Sequence, residues 1–146
     1  RAGGLRAMSR EDRRVLVASA LSGCVWGAIA WLLARGPMGP VAWGGILASP
    51  LIGIVIGRLG LPARRARPWV RALLALATLY AAVVLFGVAA GIGDALRPIQ
   101  GRDSLEVVAQ AVLGCLWGVT FTGYFLVLWP LAVWNHGLVA RLAPGN

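Results

Sequence analysis

The chain has 146 residues, of which 59% are hydrophobic and only 13% are charged. Soluble domains usually carry about 25% charged residues, so this composition excludes a soluble globular protein and indicates a membrane protein. The formal net charge is +9, and the basic residues are all arginines. Because these arginines flank apolar segments, membrane topology accounts for the charge, and we expect no nucleic-acid partner.

Four apolar stretches are long enough to cross a hydrocarbon core of about 30 Å, which requires about 20 helical residues. The predicted fold is therefore all-α, a single membrane domain of four transmembrane helices. The helices are expected at roughly residues 15–33, 41–56, 69–92 and 105–129, after a basic leader, 1–14, and before a tail, 130–146.

The expected ends of these helices follow from local sequence. Ser9 and Asp12 resemble a capping box, so the first helix should begin near Arg10. Pro50 removes a backbone donor within the second helix and should kink it. An unbroken fourth helix running to Ala143 would be too long for the bilayer, so we expect a break near Pro130 or Gly137. The segment after Pro130 would then be an interfacial helix or would project into water.

The distribution of arginines predicts the orientation of the chain. The leader and the 58–71 connection hold five arginines each and the tail holds one, whereas only three lie in the other two connections. By the positive-inside rule, both termini should be cytoplasmic in a bacterial inner membrane. The arginines of the 58–71 connection should also bind anionic lipid head groups, each contributing about 1 kcal/mol. They are Arg58, Arg64, Arg65, Arg67 and Arg71.

A ten-residue phrase occurs twice, as ASALSGCVWG at 18–27 and as AQAVLGCLWG at 109–118, with six identical positions. Each copy places small residues four apart on one helix face, a pattern that lets helix backbones approach closely in a membrane. We therefore predict that the first and fourth helices are close-packed partners. The order of the copies leaves both duplication and convergence open. The small residues predicted to pack are Ser19, Gly23, Gly27, Gly45, Ser49, Gly53, Gly57, Gly114, Gly118 and Thr122.

Few residues could support chemistry. Cys24 and Cys115 should lie at similar depth, where they serve as small packing residues or form a disulfide, since two thiols are too few ligands for a metal. His136, the only histidine, could hold a pigment or a quinone beside Trp129 and Trp134. The alternative is that the Asn-His-Gly sequence forms a polar interfacial turn.

The interiors of the first three predicted helices contain no ionisable residue, although such residues usually mark transport paths. The fourth helix has Glu106 and Gln110 near its outer start. Its deeper polar groups, Thr120, Thr122 and Tyr124, could contact a quinone or a lipid head group, but a threonine can also satisfy itself on its own helix. The chain lacks the common catalytic motifs, so we do not expect an enzyme.

These observations favour a non-catalytic membrane subunit that packs against other membrane chains or against itself. The alternative is a small oligomeric transporter or channel, in which Pro50 and the glycine ladder of the second helix form a bending or pore-lining element. A third candidate is a pigment- or quinone-holding subunit of an electron-transfer complex, with His136 as the binding residue. Apart from that candidate, we expect no cofactor.

Overall fold

The structure is a computed structural model, and it describes residues 10–34, 43–60, 67–96 and 103–142. Within these ranges the chain is helical and contains no strand, which confirms the all-α prediction. The helices are α1 (Arg10–Ala34), α2 (Trp43–Gly60), α3 (Pro68–Ala95), α4 (Ser104–Phe121) and α5 (Phe125–Leu142).

Three of the described helices are long and apolar enough to cross a membrane. They contain the stretches Arg13–Leu32, Pro68–Ala95 and Ser104–Phe121. The apolar stretches of α2 and α5 are shorter, Trp43–Leu59 and Phe125–Leu138. Association with a membrane therefore follows from the helices themselves.

The fourth predicted helix is divided earlier than expected. It ends at Phe121, and Gly123 has a φ of 75°, a left-handed conformation that glycine adopts without a steric penalty. The break expected at Pro130 or Gly137 is wrong, because both residues lie inside α5. A proline removes one donor from a helix but does not by itself reverse the chain. Gly123 can adopt the conformation that a reversal requires.

Helix α2 continues through Pro50 because a neighbouring side chain compensates for the lost donor. Pro50 has no N–H to give to the carbonyl of Ile46, four residues earlier. The hydroxyl of Ser49 donates to that carbonyl instead, at 2.7 Å. Ser49 is therefore a helix-stabilising residue as well as a small residue of the packing ladder.

The helices pack in chain order, α1 on α2, α2 on α3 and α3 on α4, while α5 packs on α3 and α1. The prediction that the two helices carrying the repeated phrase are close-packed partners is wrong. Gly23 of α1 lies against Gly53 of α2, and α4 lies against the glycines of α3, with Gly91 facing Val108. The small face of α1 is a contact surface, but its partner is α2, the next helix in the chain.

Helix α5 reverses direction relative to α4. The indole N–H of Trp129 donates to the carbonyl of Ala72 at 2.8 Å, and His136 bonds to Thr78. Because these contacts occur in the same order along both helices, α5 runs with α3, whereas α4 runs against it. Together α4 and α5 form a helical hairpin.

Several sequence predictions fall outside the described residues. They include the Ser9 part of the capping box, the turn at 35–40, and Arg64, Arg65, Arg97 and Arg102. The third helix also extends beyond its predicted end at residue 92, so Asp94 lies in the last turn of α3 and is buried.

Candidate functional site

A cleft of about 270 Å³ lies between the helices and is lined by residues of all five. Both copies of the repeated phrase face it. Gly23 and Gly27 of α1 lie on one wall, and Gly114 and Gly118 of α4 lie on another. Helix α1 packs on α2 and α4 packs on α3, so α1 and α4 both line the cleft without packing closely on each other.

The two copies present different side chains to the cleft. Trp26 lines it in the first copy, whereas the corresponding Trp117 is exposed and stacks on Phe121 with ring centroids 4.1 Å apart. Conversely, Cys115 lines the cleft and Cys24 is exposed. Both cysteines are free thiols, so the structure does not contain the disulfide considered from the sequence. The two copies of the repeated phrase are similar in sequence, but their corresponding Trp and Cys side chains have different surroundings.

Two consecutive residues of α5 place polar groups in the cleft and connect it to two other helices. The side-chain amide of Asn135 donates to the hydroxyl of Ser22 on α1 at 2.8 Å. His136 Nε2 lies 2.7 Å from Thr78 Oγ1 on α3. These contacts tie α5 to both α1 and α3. All four of these residues line the cleft.

An apolar cluster holds these polar residues in place. Ala75 and Leu79 of α3 pack with Leu128 and Ala132 of α5, and these are among the most buried residues described. Helical spacing places His136 one turn beyond Ala132, on the same face of α5. The packing of α5 on α3 therefore positions the imidazole against Thr78.

The hydrogen bonding of Thr78 determines the role of the histidine. Its hydroxyl also contacts the carbonyl of Ala75 at 3.1 Å, an acceptor that can only receive the hydroxyl proton. When the Thr78 hydroxyl donates its proton to a hydrogen bond with the Ala75 carbonyl, Nε2 of His136 must be the donor to Thr78 Oγ1. In a neutral imidazole ring, Nδ1 is then the acceptor nitrogen. Nε2 is then not free to ligate a metal.

The cleft does not suit the tetrapyrrole pigment considered from the sequence. An apolar cavity of about 150 Å³ accommodates benzene, so one of 270 Å³ accommodates a small ring system but not a macrocycle. Among the described residues, no cluster of three or more histidine, cysteine, aspartate or glutamate side chains could hold a metal.

The predicted packing residues of α1 and α2 meet one another. A Cβ added to Gly23 would lie 3.0 Å from Gly53 Cα, and one added to Gly27 would lie 2.6 Å from Ser49 Cβ. Gly57 faces the side chain of Ser19. Ser19 is 2% exposed, and its hydroxyl has no hydrogen-bond partner in the described structure.

The remaining predicted packing residues have other surroundings. Gly45 faces the ring of Phe86 on α3. Gly114 lines the cleft, and a Cβ on Gly118 would have nothing within 4 Å. Thr122 is exposed and bonds to the carbonyl of Gly118 one turn back.

The charged residues singled out from the sequence lie away from the cleft. Arg58, Arg67 and Arg71 are exposed, as expected for residues that meet lipid head groups. Glu106 is also exposed and accepts a hydrogen bond from Gln110 at 3.0 Å.

Sequence reasoning identified His136 but missed its surroundings. Thr78 and Ser22 lie on distant segments, and neither has a local pattern that would pair it with α5. Asn135 did offer a signal, since an adjacent Asn and His within an apolar helix need partners in a membrane.

No family model, curated protein or solved structure matches the chain. A functional proposal must therefore rest on the residues and on the geometry of the fold.

Proposed function

We propose that the chain is a non-catalytic integral membrane subunit that packs against other membrane chains in a bacterial cytoplasmic membrane. The observation that carries this proposal is the uneven burial of the helices. Helix α3 has seven buried residues, whereas α4 has none, although both are apolar. Helix α4 packs on one side only.

The outer face of α4 has the character of a contact surface. Leu113, Trp117 and Phe121 are each at least 65% exposed and follow one another at four-residue spacing, and the two aromatic rings are stacked. Large aromatic side chains are enriched where protein chains meet. Lipid would cover the same face in a monomer, so the proposal requires a test that distinguishes a protein from lipid.

We also propose that α1 to α4 each cross the membrane, with the N-terminus cytoplasmic. The split of the arginines supports this orientation. The apolar stretch of α5 has 14 residues, Phe125–Leu138, and would span about 21 Å, so it is too short to cross alone. Because α5 runs with α3, away from the cytoplasmic side, it is a hairpin arm packed within the bundle, and the cytoplasmic C-terminus expected from the arginines does not fit this arrangement.

The experiment for the subunit proposal is purification from the native membrane in a gentle detergent, with a tag on the chain. We expect other membrane proteins to co-purify in a fixed ratio, whereas a lone homo-oligomer would favour the transporter or channel. Replacing both Trp117 and Phe121 with alanine should reduce this association about tenfold or more, because buried aromatic residues dominate contact energies. Replacing the exposed Trp69 and Leu73 of α3 with alanine is the matched control.

An association that the Trp117 and Phe121 changes leave intact would contradict the assigned surface. A chain that purifies as a monomer with lipid alone would contradict the subunit proposal. Proton-coupled substrate flux in liposomes that is abolished by Glu106→Gln would favour the transporter in its place. The observed position of Glu106, exposed and bonded only to Gln110, provides no buried group for such coupling.

A further inference from the structure

The cleft between the helices has features of a ligand site, and these are independent of any partner subunit. Its walls are mostly apolar, and its polar side chains are few. Pockets for small molecules usually combine a mainly apolar lining with a small number of converging polar groups. At about 270 Å³, the cleft matches one or two fused rings.

The polar groups of the cleft supply both a donor and an acceptor. A side-chain amide carries two N–H donors, and Asn135 uses one of them on Ser22. A neutral His136 that donates through Nε2 to Thr78 retains Nδ1 as an acceptor. Asn135 can therefore donate to a ligand oxygen, and the adjacent His136 can accept from a ligand hydroxyl group.

Helices α1 and α4 both line the cleft and are not closely packed on each other. Gly118 of α4 has nothing within 4 Å of an added Cβ, and Gly114 also lines the cleft without a side chain. A flexible apolar tail attached to a bound ring could leave the cleft between these two helices and enter lipid.

We propose that the cleft binds the ring of a lipophilic hydroquinone, the reduced form of a quinone, with Asn135 donating to a ring oxygen, a ring hydroxyl donating to Nδ1 of His136, and the tail leaving between α1 and α4. This inference concerns the chain alone and goes beyond its role as a subunit. The protein binds and orients the ring.

The test uses the purified full chain in lipid nanodiscs and 2-methyl-1,4-dihydroxynaphthalene, kept reduced under anaerobic conditions, as the probe, with empty nanodiscs subtracted. We expect saturable binding to one site per chain. Gly118→Phe should weaken binding about tenfold or more, because it adds a ring at the cleft where no neighbouring atom obstructs it. The matched control is Leu113→Phe on the exposed face of α4, which should leave binding unchanged.

Two further measurements in the same assay test whether the protein recognises the ligand oxygens. His136→Leu should weaken binding about three- to tenfold, the value of one hydrogen bond. The probe 2-methylnaphthalene, which has the same ring without oxygens, should bind more weakly by a similar factor or more.

Three results would overturn the proposal. They are the absence of saturable binding, equal binding by the Gly118→Phe protein, and equal binding of 2-methylnaphthalene. Because Gly118→Phe leaves the Asn135 and His136 contacts in place, the test does not depend on whether His136→Leu folds. Loss of co-purifying subunits would not affect this result, so the two proposals fail separately.

Discussion

Replacing Gly23 with leucine is expected to destabilise the chain by about 1–3 kcal/mol or more and to separate α1 from α2. A Cβ at this position would meet the carbonyl of Ser49 and would lie 3.0 Å from the Cα of Gly53. Both neighbours are backbone atoms of a regular helix. They cannot move aside as a side chain can, so the two helices must separate. Thermal unfolding in detergent or nanodiscs measures the change.

The control for Gly23→Leu is Gly118→Leu. Gly118 also belongs to the repeated phrase and lies on a small helix face, but an added Cβ there meets nothing within 4 Å. We expect this change to alter stability by no more than about 0.5 kcal/mol. Equal losses from the two substitutions would mean that α1 does not pack on α2 as described.

The second large effect is expected at Gly91, where α3 meets α4. A Cβ would lie 2.6 Å from Val108 Cα and 3.2 Å from Ala111 Cβ. Gly91→Leu should therefore displace α4, again at a cost of about 1–3 kcal/mol or more. Protease accessibility of α4 should rise together with the loss of thermal stability.

Gly137 provides the matched comparison for Gly91. It lies inside helix α5, and an added Cβ there has no atom within 4 Å. Gly137→Leu should leave the unfolding temperature nearly unchanged. A stable Gly91→Leu protein with α4 still protected would show that the α3–α4 contact is not formed through this glycine.

The helices themselves were predictable because hydropathy and length require no knowledge of neighbours. The predicted starts near Arg10 and Leu105 lie close to the observed starts of α1 and α4. The packing partner of each helix within the bundle was not predictable. The same four-residue spacing of small residues occurs on several helices, and it shows which face can approach a backbone without showing which backbone.

The break after α4 illustrates a different limit. Pro130 and Gly123 are both residues that can end a helix, and Pro130 has the stronger local signal. The structure uses Gly123 in a left-handed conformation and passes through Pro130. The position of the break depends on tertiary packing, because a break at Gly123 lets α5 pack on α3. Ala75 and Leu79 of α3 provide the contact surface.

The candidate site was predictable only in part. His136 stood out as a single histidine, but its contact with Thr78 joins residues 58 positions apart. The cleft is lined by all five helices, and a sequence pattern does not show which helices leave a space between them. The glycines of both phrase copies were noticed for close packing, and in α4 they instead leave space.

A measurement of membrane topology is the most direct test of the four-span bundle, in which α1 to α4 each cross the bilayer. Reporters should be inserted in the 35–40 connection, in the 61–66 connection and in the 97–102 connection, each in the otherwise full chain. The arginine distribution predicts an external, a cytoplasmic and an external reporter, respectively. Reporters at 35–40 and 61–66 on the same side would show that α2 does not cross, and reporters at 61–66 and 97–102 on the same side would show that α3 does not cross. Either result would contradict the four-span bundle.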